Sequence, residues 1–370
     1  MCSLLSVWEE LKMTEENSEK KSMQGPVCPL PHQHTETVVI GHGSGGRMTQ
    51  DLIQQCFTSR IGNAYLKEAN DAARILLPKG TEQVAISTDS HVVSPIFYPG
   101  GNIGRLAVCG TVNDVAMLGA QPKYLTAGFI LEEGFPITSL ETVVDSMAKA
   151  CQEANVKIVA GDTKVVEKNS VDQIFINTAG FGIIKENRII GGQYAKPGDA
   201  VIISGSLGDH GIAVLEARGD LGFESSIQSD VAPLNHMIEA LLREVPEVHV
   251  LRDPTRGGLA TSLNEIACQS KVSILLDEEN IPIKPNVQTA CEMLGFDPLY
   301  LANEGKLIVI CPATFAEKAT NALRTSPYGI QTMRIGEVFA ENPGRVLLRT
   351  QYGSTRILDM LNNEILPRIC

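Results

Sequence analysis

Alternating β-branched runs and helical stretches from about residue 36 onward predict an α/β protein with mixed sheets, built as two domains and a flexible C-terminal tail. Three observations carry this. The chain has 370 residues, ample for two hydrophobic cores. Its apolar and charged contents, 43% and 20%, are ordinary for a globular protein. The turn Lys196-Pro197-Gly198-Asp199 breaks the alternation near its middle. The division is therefore 1–35 (a disordered, polar and Pro-containing extension), 36–193, 194–352 and a mobile tail, 353–370.

Thr37-Val38-Val39-Ile40 reads as a short strand running into Gly41-His42-Gly43-Ser44-Gly45-Gly46-Arg47, then a helix from Met48 to Cys56. A glycine-rich turn before a helix lets main-chain N–H groups approach phosphates. The string also fits the G-x-G-x-x-G pattern of dinucleotide-binding units, which needs an acid closing a second strand about 20 residues later. The segment after Cys56 leads instead to Asn70-Asp71, and a turn with no ligand is a third reading. Val84 to Thr88 is a strand ended by Asp89, and Ile103 to Leu118 an apolar helix carrying Asn113-Asp114. Pro136 to Glu153 is amphipathic, with Ile137, Leu140, Val143, Val144, Met147, Ala148 and Cys151 on one face. Lys157 to Ala160 is a strand followed by Gly161-Asp162-Thr163-Lys164, and Gln173 to Ile184 another.

In the second half, the strand Ala200 to Ser204 precedes a Gly205-to-Gly211 turn and the helix Ile212 to Arg218. Leu234 to Val245 is helical, and Arg252-Asp253-Pro254-Thr255-Arg256-Gly257-Gly258 opens a helix reaching Cys268. Strand Lys271 to Leu276, helix Val287 to Leu294, the turn Asn303-Glu304-Gly305, strand Lys306 to Cys311 and helix Thr314 to Leu323 follow. Strands near Gln331 to Phe339 and Arg345 to Thr350 complete the pattern. Cys109, Cys268, Cys291 and Cys311 lie in apolar elements and read as buried, inert thiols.

A net charge of −12 and a pI near 5.1 argue against nucleic acid or an anionic membrane as a partner. No apolar run approaches a membrane span, and an N-terminus carrying Glu9, Glu10, Glu15 and Glu16 is not a signal peptide. The nine cysteines show no C-x-x-C and no paired Cys/His spacing. That excludes a zinc knuckle and a disulfide framework, and points to a reducing, cytoplasmic setting.

Two features suggest chemistry. Acids recur at strand ends and in one apolar helix, where the Asp114 carboxylate needs a partner. Each alone reads equally well as a cap or turn residue. Together, Asp71, Asp89 and Asp114 would suit Mg2+, whose oxygen ligands bridge to phosphates. The second feature is the end of the chain. From Gly353 to Cys370 the chain could span roughly 50 Å when extended, so Cys370 is a thiol on a tether: either a frayed end or a group that enters a cleft.

Several strings carry a resemblance: Gly41 to Arg47, Thr88-Asp89-Ser90-His91, Asn113 to Ala120, Gly161 to Val165, Gly208-Asp209-His210-Gly211, Asp253 to Gly258, Asn303-Glu304-Gly305 and the terminal Pro367-Arg368-Ile369-Cys370. From about residue 36 to the end the chain resembles the aminoimidazole ribonucleotide synthetase (PurM-like) superfamily of ATP-using enzymes. Within it, the terminal Pro-Arg-Ile-Cys is similar to the HypE carbamoyl dehydratases of NiFe-hydrogenase maturation. The resemblance implies a PurM-like two-domain fold whose N-terminal sheets form a barrel at a homodimer interface. It implies that the terminal cysteine receives a carbamoyl group from the carbamoyltransferase HypF. ATP then drives dehydration to a thiocyanate, and the cyano group passes to iron on a HypC–HypD complex.

On that basis Gly43, Ser44, Gly45, Asp89, Asn113, Asp114, Asp162, Thr163, Asp209 and Asp253 are expected nucleotide contacts. Asp71, Asp89 and Asp114 are the expected Mg2+ ligands. Cys370 is the reacting thiol, Glu304 and Lys164 are candidates for moving protons, and Arg368 is expected to favour the thiolate while the terminal carboxylate opposes it. Two competitors stand beside this reading. A phosphotransferase like selenophosphate synthetase or thiamine-phosphate kinase leaves the terminal cysteine unexplained. A non-enzymatic thiol carrier leaves the intact run of acids unexplained.

Overall fold

The computed structural model describes residues 36–39, 42, 51–63, 77–80, 83–185, 188–219, 226–360, 366 and 368–370. The extension expected over 1–35, the loop residues Gly43, Ser44 and Gly45, and Asp71 lie outside them.

The first sheet contains β1 (Gln83–His91), β4 (Ala120–Glu132), β5 (Lys157–Val166) and β6 (Ile174–Ile184), in the order β1-β6-β4-β5. A two-stranded ribbon, β2 (Phe97–Tyr98) with β3 (Gly101–Asn102), leads into helix α1 (Ile103–Ala116). The Asn102 side chain caps α1 by accepting from the N–H groups of Gly104 and Arg105. Helix α2 (Ile137–Ala154) buries the apolar face its 3.6-residue period predicts. Helix α1 is buried almost all round, as its unbroken apolar composition requires.

Two expectations shift here. β4 is the longest strand of this sheet, yet its sequence does not announce it. Pro122 and a register shift between Pro122 and Tyr124 interrupt the alternation, and pairing with β6 and β5 on both sides overrides local propensity. β5 also runs past its expected end. Asp162, Thr163 and Lys164 sit on the strand, opposite Gly128, Phe129 and Ile130, and not in a loop after it. Of the strand expected at Thr37, the described residues make a single bridge from Thr37 to Pro136.

The second sheet has seven strands in the order β13-β12-β9-β11-β7-β10-β8. These are β7 (Asp199–Ile203), β8 (Val250–Arg252), β9 (Ser273–Asp277), β10 (Ile308–Pro312), β11 (Met333–Phe339), β12 (Arg345–Arg349) and β13 (Thr355–Ile357). β12 pairs parallel with β9 and the other pairs are antiparallel, so the sheet is mixed. Central β7 is buried at every position, which explains its unbroken Ala-Val-Ile-Ile run. Helices α3 (Asp209–Arg218), α4 (Asn235–Glu244), α5 (Gly258–Ser270), α6 (Pro285–Leu294) and α7 (Ala316–Arg324) complete this half.

One apolar cluster joins α1 and α2 to α3 and takes in Leu366 and Ile369 from the end of the chain. The segment expected as a mobile tail is thus held at two places: Thr355–Ile357 pair with β12, and the last residues dock in the core. Cys109, Cys291 and Cys311 are buried, but Cys268 is exposed. It lies near the end of α5 with its Sγ against the Gly344 carbonyl, so an apolar composition around it did not mean an inward face. No helix among the described residues is long and apolar enough to cross a membrane.

Candidate functional site

Three carboxylates from three elements act on one another. Asp89 is on β1, Asp114 projects from apolar α1, and Asp253 follows β8. The Ser87 hydroxyl donates to Asp114 Oδ2 at 2.8 Å. Burial, reinforced by Asp253 and then Asp89, pushes the Asp114 carboxyl up to about 7. Burial, with Asp89 adding, pushes Asp253 up to about 6. Asp114 and Asp253 line a cleft of about 420 Å³ together with Ser87, Thr255 and Arg256.

An all-oxygen, mutually repelling set is the donor chemistry that suits Mg2+. Among the described residues no group of three His, Cys, Asp or Glu could hold a metal ion alone, so phosphate oxygens would have to complete its coordination. A titration tests this. The folded chain holds more protons on Asp114 and Asp253 than the unfolded chain between about pH 4 and 7, so its stability falls as pH rises through that window. A bound cation opposes those protons. The rise in Tm on adding Mg2+ and ATP should therefore be larger at pH 8 than at pH 6, and this dependence should flatten in Asp114→Asn. Equal shifts in the parent at both pH values would remove these carboxylates from the cation site.

The end of the chain lies beside this cleft. Val92 N–H donates to the Cys370 main-chain oxygen at 3.2 Å and Ser94 N–H to the Arg368 carbonyl at 3.1 Å, an antiparallel addition just beyond β1. Arg218 donates to the carbonyls of Ser94 and Arg368, tying the two segments together. Arg368 pairs with Asp172 at 2.6 Å and lies over the Phe175 ring. It is Arg256, not the expected Arg368, that donates to Cys370 Sγ, at 3.2 Å. Burial and the Glu304 charge push the Cys370 thiol up to about 12 against the lowering effect of Arg256. Burying Leu366 and Ile369 contributes roughly 3–6 kcal/mol, while ordering four residues costs roughly 4–8 kcal/mol. The hydrogen bonds therefore decide whether the tail stays docked.

Glu304 enters on the turn before β10. Gly305 permits that turn, since a Cβ there would lie 1.8 Å from the Asp230 carbonyl oxygen. The Asp230 carboxylate accepts from the N–H groups of Glu304 (3.1 Å) and Gly305 (3.2 Å) and pairs with Lys306 at 3.0 Å. Burial first, then Asp230, Asp253, Asp89 and Asp114, raise Glu304 well above the usual carboxyl range. Its Oε1 is buried without a hydrogen-bond partner among the described residues. Arg256 is placed by Gly257 and Gly258, both at positive φ; a Cβ on Gly258 would lie 2.6 Å from the Leu299 carbonyl oxygen.

Other expected residues stand elsewhere. Asn113 is a clamp within the fold: its Nδ2 donates to the Ala232 carbonyl at 3.0 Å and its Oδ1 accepts from Leu234 N–H at 2.8 Å. Asn113→Ala strands two buried main-chain groups and should cost about 2–4 kcal/mol in urea unfolding. A loss under about 0.5 kcal/mol, the ordinary surface range, would show the clamp is not made. Asp209 is buried at the start of α3, bonded to Ser206 and paired with Lys284 at 3.0 Å. Asp162 pairs with Lys164 at 3.0 Å, both exposed, on the β5 edge of the sheet, with Thr163 between them. Three strand spacings, about 14 Å, separate that edge from β1. Arg256, Asp230 and His210 had been assigned no role. Arg256 and His210 lie inside the quoted motif strings, whereas Asp230 carries no sequence signal.

Comparison with known proteins matches residues 69–184 to the N-terminal domain and 196–349 to the C-terminal domain of AIR synthase related proteins. The chain is 52% identical over 331 residues to the carbamoyl dehydratase HypE of Cupriavidus necator, covering 90% of this chain and 94% of that protein. A crystal structure of a hydrogenase maturation protein HypE in complex with ATP superposes with a TM-score of 0.87 at 51% identity, covering 90% of this chain and all of that one. A HypE–HypF complex matches with a TM-score of 0.73 at 51% identity over 84% of this chain and 99% of that one. A thiamine monophosphate kinase from Aquifex aeolicus, at 18% identity and a TM-score of 0.56 over 75% of this chain and 89% of that one, shares the fold alone.

Proposed function

The chain belongs to the HypE family of carbamoyl dehydratases, and from that premise we propose how its residues carry out the reaction. It is an ATP-dependent enzyme of hydrogenase maturation. The carbamoyl group rides on Cys370 Sγ as a thiocarbamate. Its amide oxygen is a poor leaving group, and accepting the γ-phosphoryl of ATP turns that oxygen into part of a phosphate. The C–O bond then breaks, two N–H protons depart, and S–C≡N remains with ADP and phosphate.

Glu304 is the group we assign to those protons. It is buried beside the docked thiol, its Oε1 has no hydrogen-bond partner among the described residues, and its main chain is held by Asp230. Mg2+ held by Asp71, Asp89 and Asp114 together with phosphate oxygens would neutralise both phosphate charge and the mutual repulsion of Asp89, Asp114 and Asp253. Such a cation would offset the carboxylate contribution to the raised Glu304 pKa, leaving burial as its main cause, and so favour Glu304 as a general base. Arg256 orients the sulfur. Where Sγ is docked its thiolate is disfavoured, so loading by HypF belongs to an undocked tail. The uncharged thiocarbamate then enters the cleft at less desolvation cost than a thiolate.

The wider assignments belong to the same proposal. Ile86, Phe181, Tyr124 and Ile130 share the outer face of the first sheet, with Ile86 72% exposed, and a second copy covering that face makes the homodimer. The residues 36–193 form the ATP-binding and dimerisation domain, 194–352 the second domain. The cyano group goes to HypC–HypD in the cytoplasm, where unpaired thiols persist. The observation that carries the function is the docked Cys370 thiol, which accepts from Arg256 and feels the Glu304 charge. Its test is intact mass after incubation with HypF and carbamoyl phosphate. A carbamoyl adduct that loses one water only with ATP is expected. An adduct that never loses water would make the protein a carrier, and no adduct with active HypF would end the assignment.

A further inference from the structure

His210, the second residue of α3, is fully buried, its ring set edge-on to Tyr98 with centroids 5.4 Å apart. Its Nε2 lies 2.7 Å from the carbonyl oxygen of Ile369, the residue before the reacting cysteine. Its Nδ1 lies 2.8 Å from Ser229 Oγ. A carbonyl only accepts, so Nε2 carries the proton. Burial pushes the His210 pKa down and keeps the ring neutral, which leaves Nδ1 to accept from the Ser229 hydroxyl. Ser229 Oγ in turn accepts from Val231 N–H at 3.1 Å. The hydrogen bonds therefore run one way, from Val231 through Ser229 and His210 to the tail. The next residue, Asp230, seats the main chain of Glu304 and Gly305. One dipeptide thus holds both the grip on the tail and the turn that carries Glu304.

Resting on the dehydratase reading above, we propose that His210, oriented by Ser229, is a positioning residue that sets Cys370 Sγ against Glu304 and Arg256 for the ATP-dependent step. The Ile369 carbonyl is the nearest point at which the tail is gripped from the second half of the chain without touching the group being dehydrated. Leu366 sets how deep the tail sits, and Val92 and Ser94 set its register. His210 fixes the remaining rotation about the last residues. The docked tail is the form held by these contacts, and with it in excess, losing one hydrogen bond raises the free fraction by about tenfold.

The test uses full-length His210→Gln, His210→Asn and Ser229→Ala. The Gln amide nitrogen reaches the Nε2 position and can donate to Ile369; the Asn amide reaches only the Nδ1 position. The first measurement is alkylation of Cys370 by iodoacetamide without ATP, read by peptide mass. His210→Asn should react about tenfold faster than the parent, His210→Gln close to the parent, and Ser229→Ala in between. The second is single-turnover water loss from chains already carbamoylated by HypF. It should fall about tenfold or more in His210→Asn and recover in His210→Gln, while loading by HypF is as fast or faster because HypF meets the free tail. Alkylation of His210→Asn at the parent rate overturns the proposal, as does a Gln variant as impaired as the Asn variant, which would mean a packing role. If alkylation follows the expected order but even the parent loses no water, His210 still positions the tail and the dehydratase reading is what fails.

Discussion

Replacing Cys370 with alanine should erase the carbamoyl adduct altogether, with and without ATP. No other thiol among the described residues is equipped to substitute. Burial pushes Cys56 and Cys291 up to about 11 and Cys151 and Cys311 up to about 12, and raises Cys109 further. These five are buried in the fold, so a carbamoyl donor cannot reach them. Cys268 is exposed, but it sits on α5 and cannot carry a group into the cleft. The Tm rise with Mg2+ and ATP should survive the substitution, because the carboxylate cluster is intact. Stability itself should change by less than about 1 kcal/mol, since only a partly exposed sulfur and its Arg256 contact are lost. An adduct on the variant in a yield comparable with the parent would place the chemistry on another residue.

Glu304→Gln is expected to separate loading from dehydration. HypF should still carbamoylate Cys370, because that step belongs to the free tail. The ATP-dependent loss of water should slow by about 10²–10⁴-fold, the range for removing a general acid or base. The stability change should run the other way. A carboxyl raised in the folded state keeps its proton there at pH values where the unfolded chain has lost it. Stability therefore falls as pH rises above the ordinary carboxyl range toward the folded pKa. Glutamine removes that penalty. The variant's Tm, without nucleotide, should exceed the parent's at pH 8, with the gap closing toward pH 4. A variant that melts lower at pH 8 and still dehydrates at the parent rate would make Glu304 a structural residue.

The same residues show how far a linear reading reaches. Asp114 was legible because a carboxylate inside an apolar helix demands a partner; Ser87 donates to it, while Asp89 and Asp253 add the repulsion that a cation would relieve. Glu304 and Cys370 were legible from their strings; Cys370 meets Arg256 of the cleft wall and feels the Glu304 charge. Arg368 was misread: adjacency to Cys370 suggested it would favour the thiolate, but its guanidinium turns to Asp172 and Phe175. The charge on sulfur comes from Arg256, 114 positions away in the chain. Asp162 and Lys164 are grouped with the site because they lie in the Gly161 to Val165 string that carries the resemblance. The strand order β1-β6-β4-β5 puts them on the opposite edge.

By itself the sequence determined the quantities that depend on neighbours a few residues away. These are the amphipathic face of α2, the apolar run of β7 and the glycine at 257 that lets the chain turn tightly into α5. The tertiary structure alone decided what depends on through-space distance. It settled which carboxylates repel one another, which arginine meets the sulfur, and that Ser229 and Asp230, in a stretch without regular structure, link the tail to Glu304 through His210. The physical reason is that charge–charge and hydrogen-bond energies depend on separation in space. Separation along the chain constrains that distance only within one helix or strand.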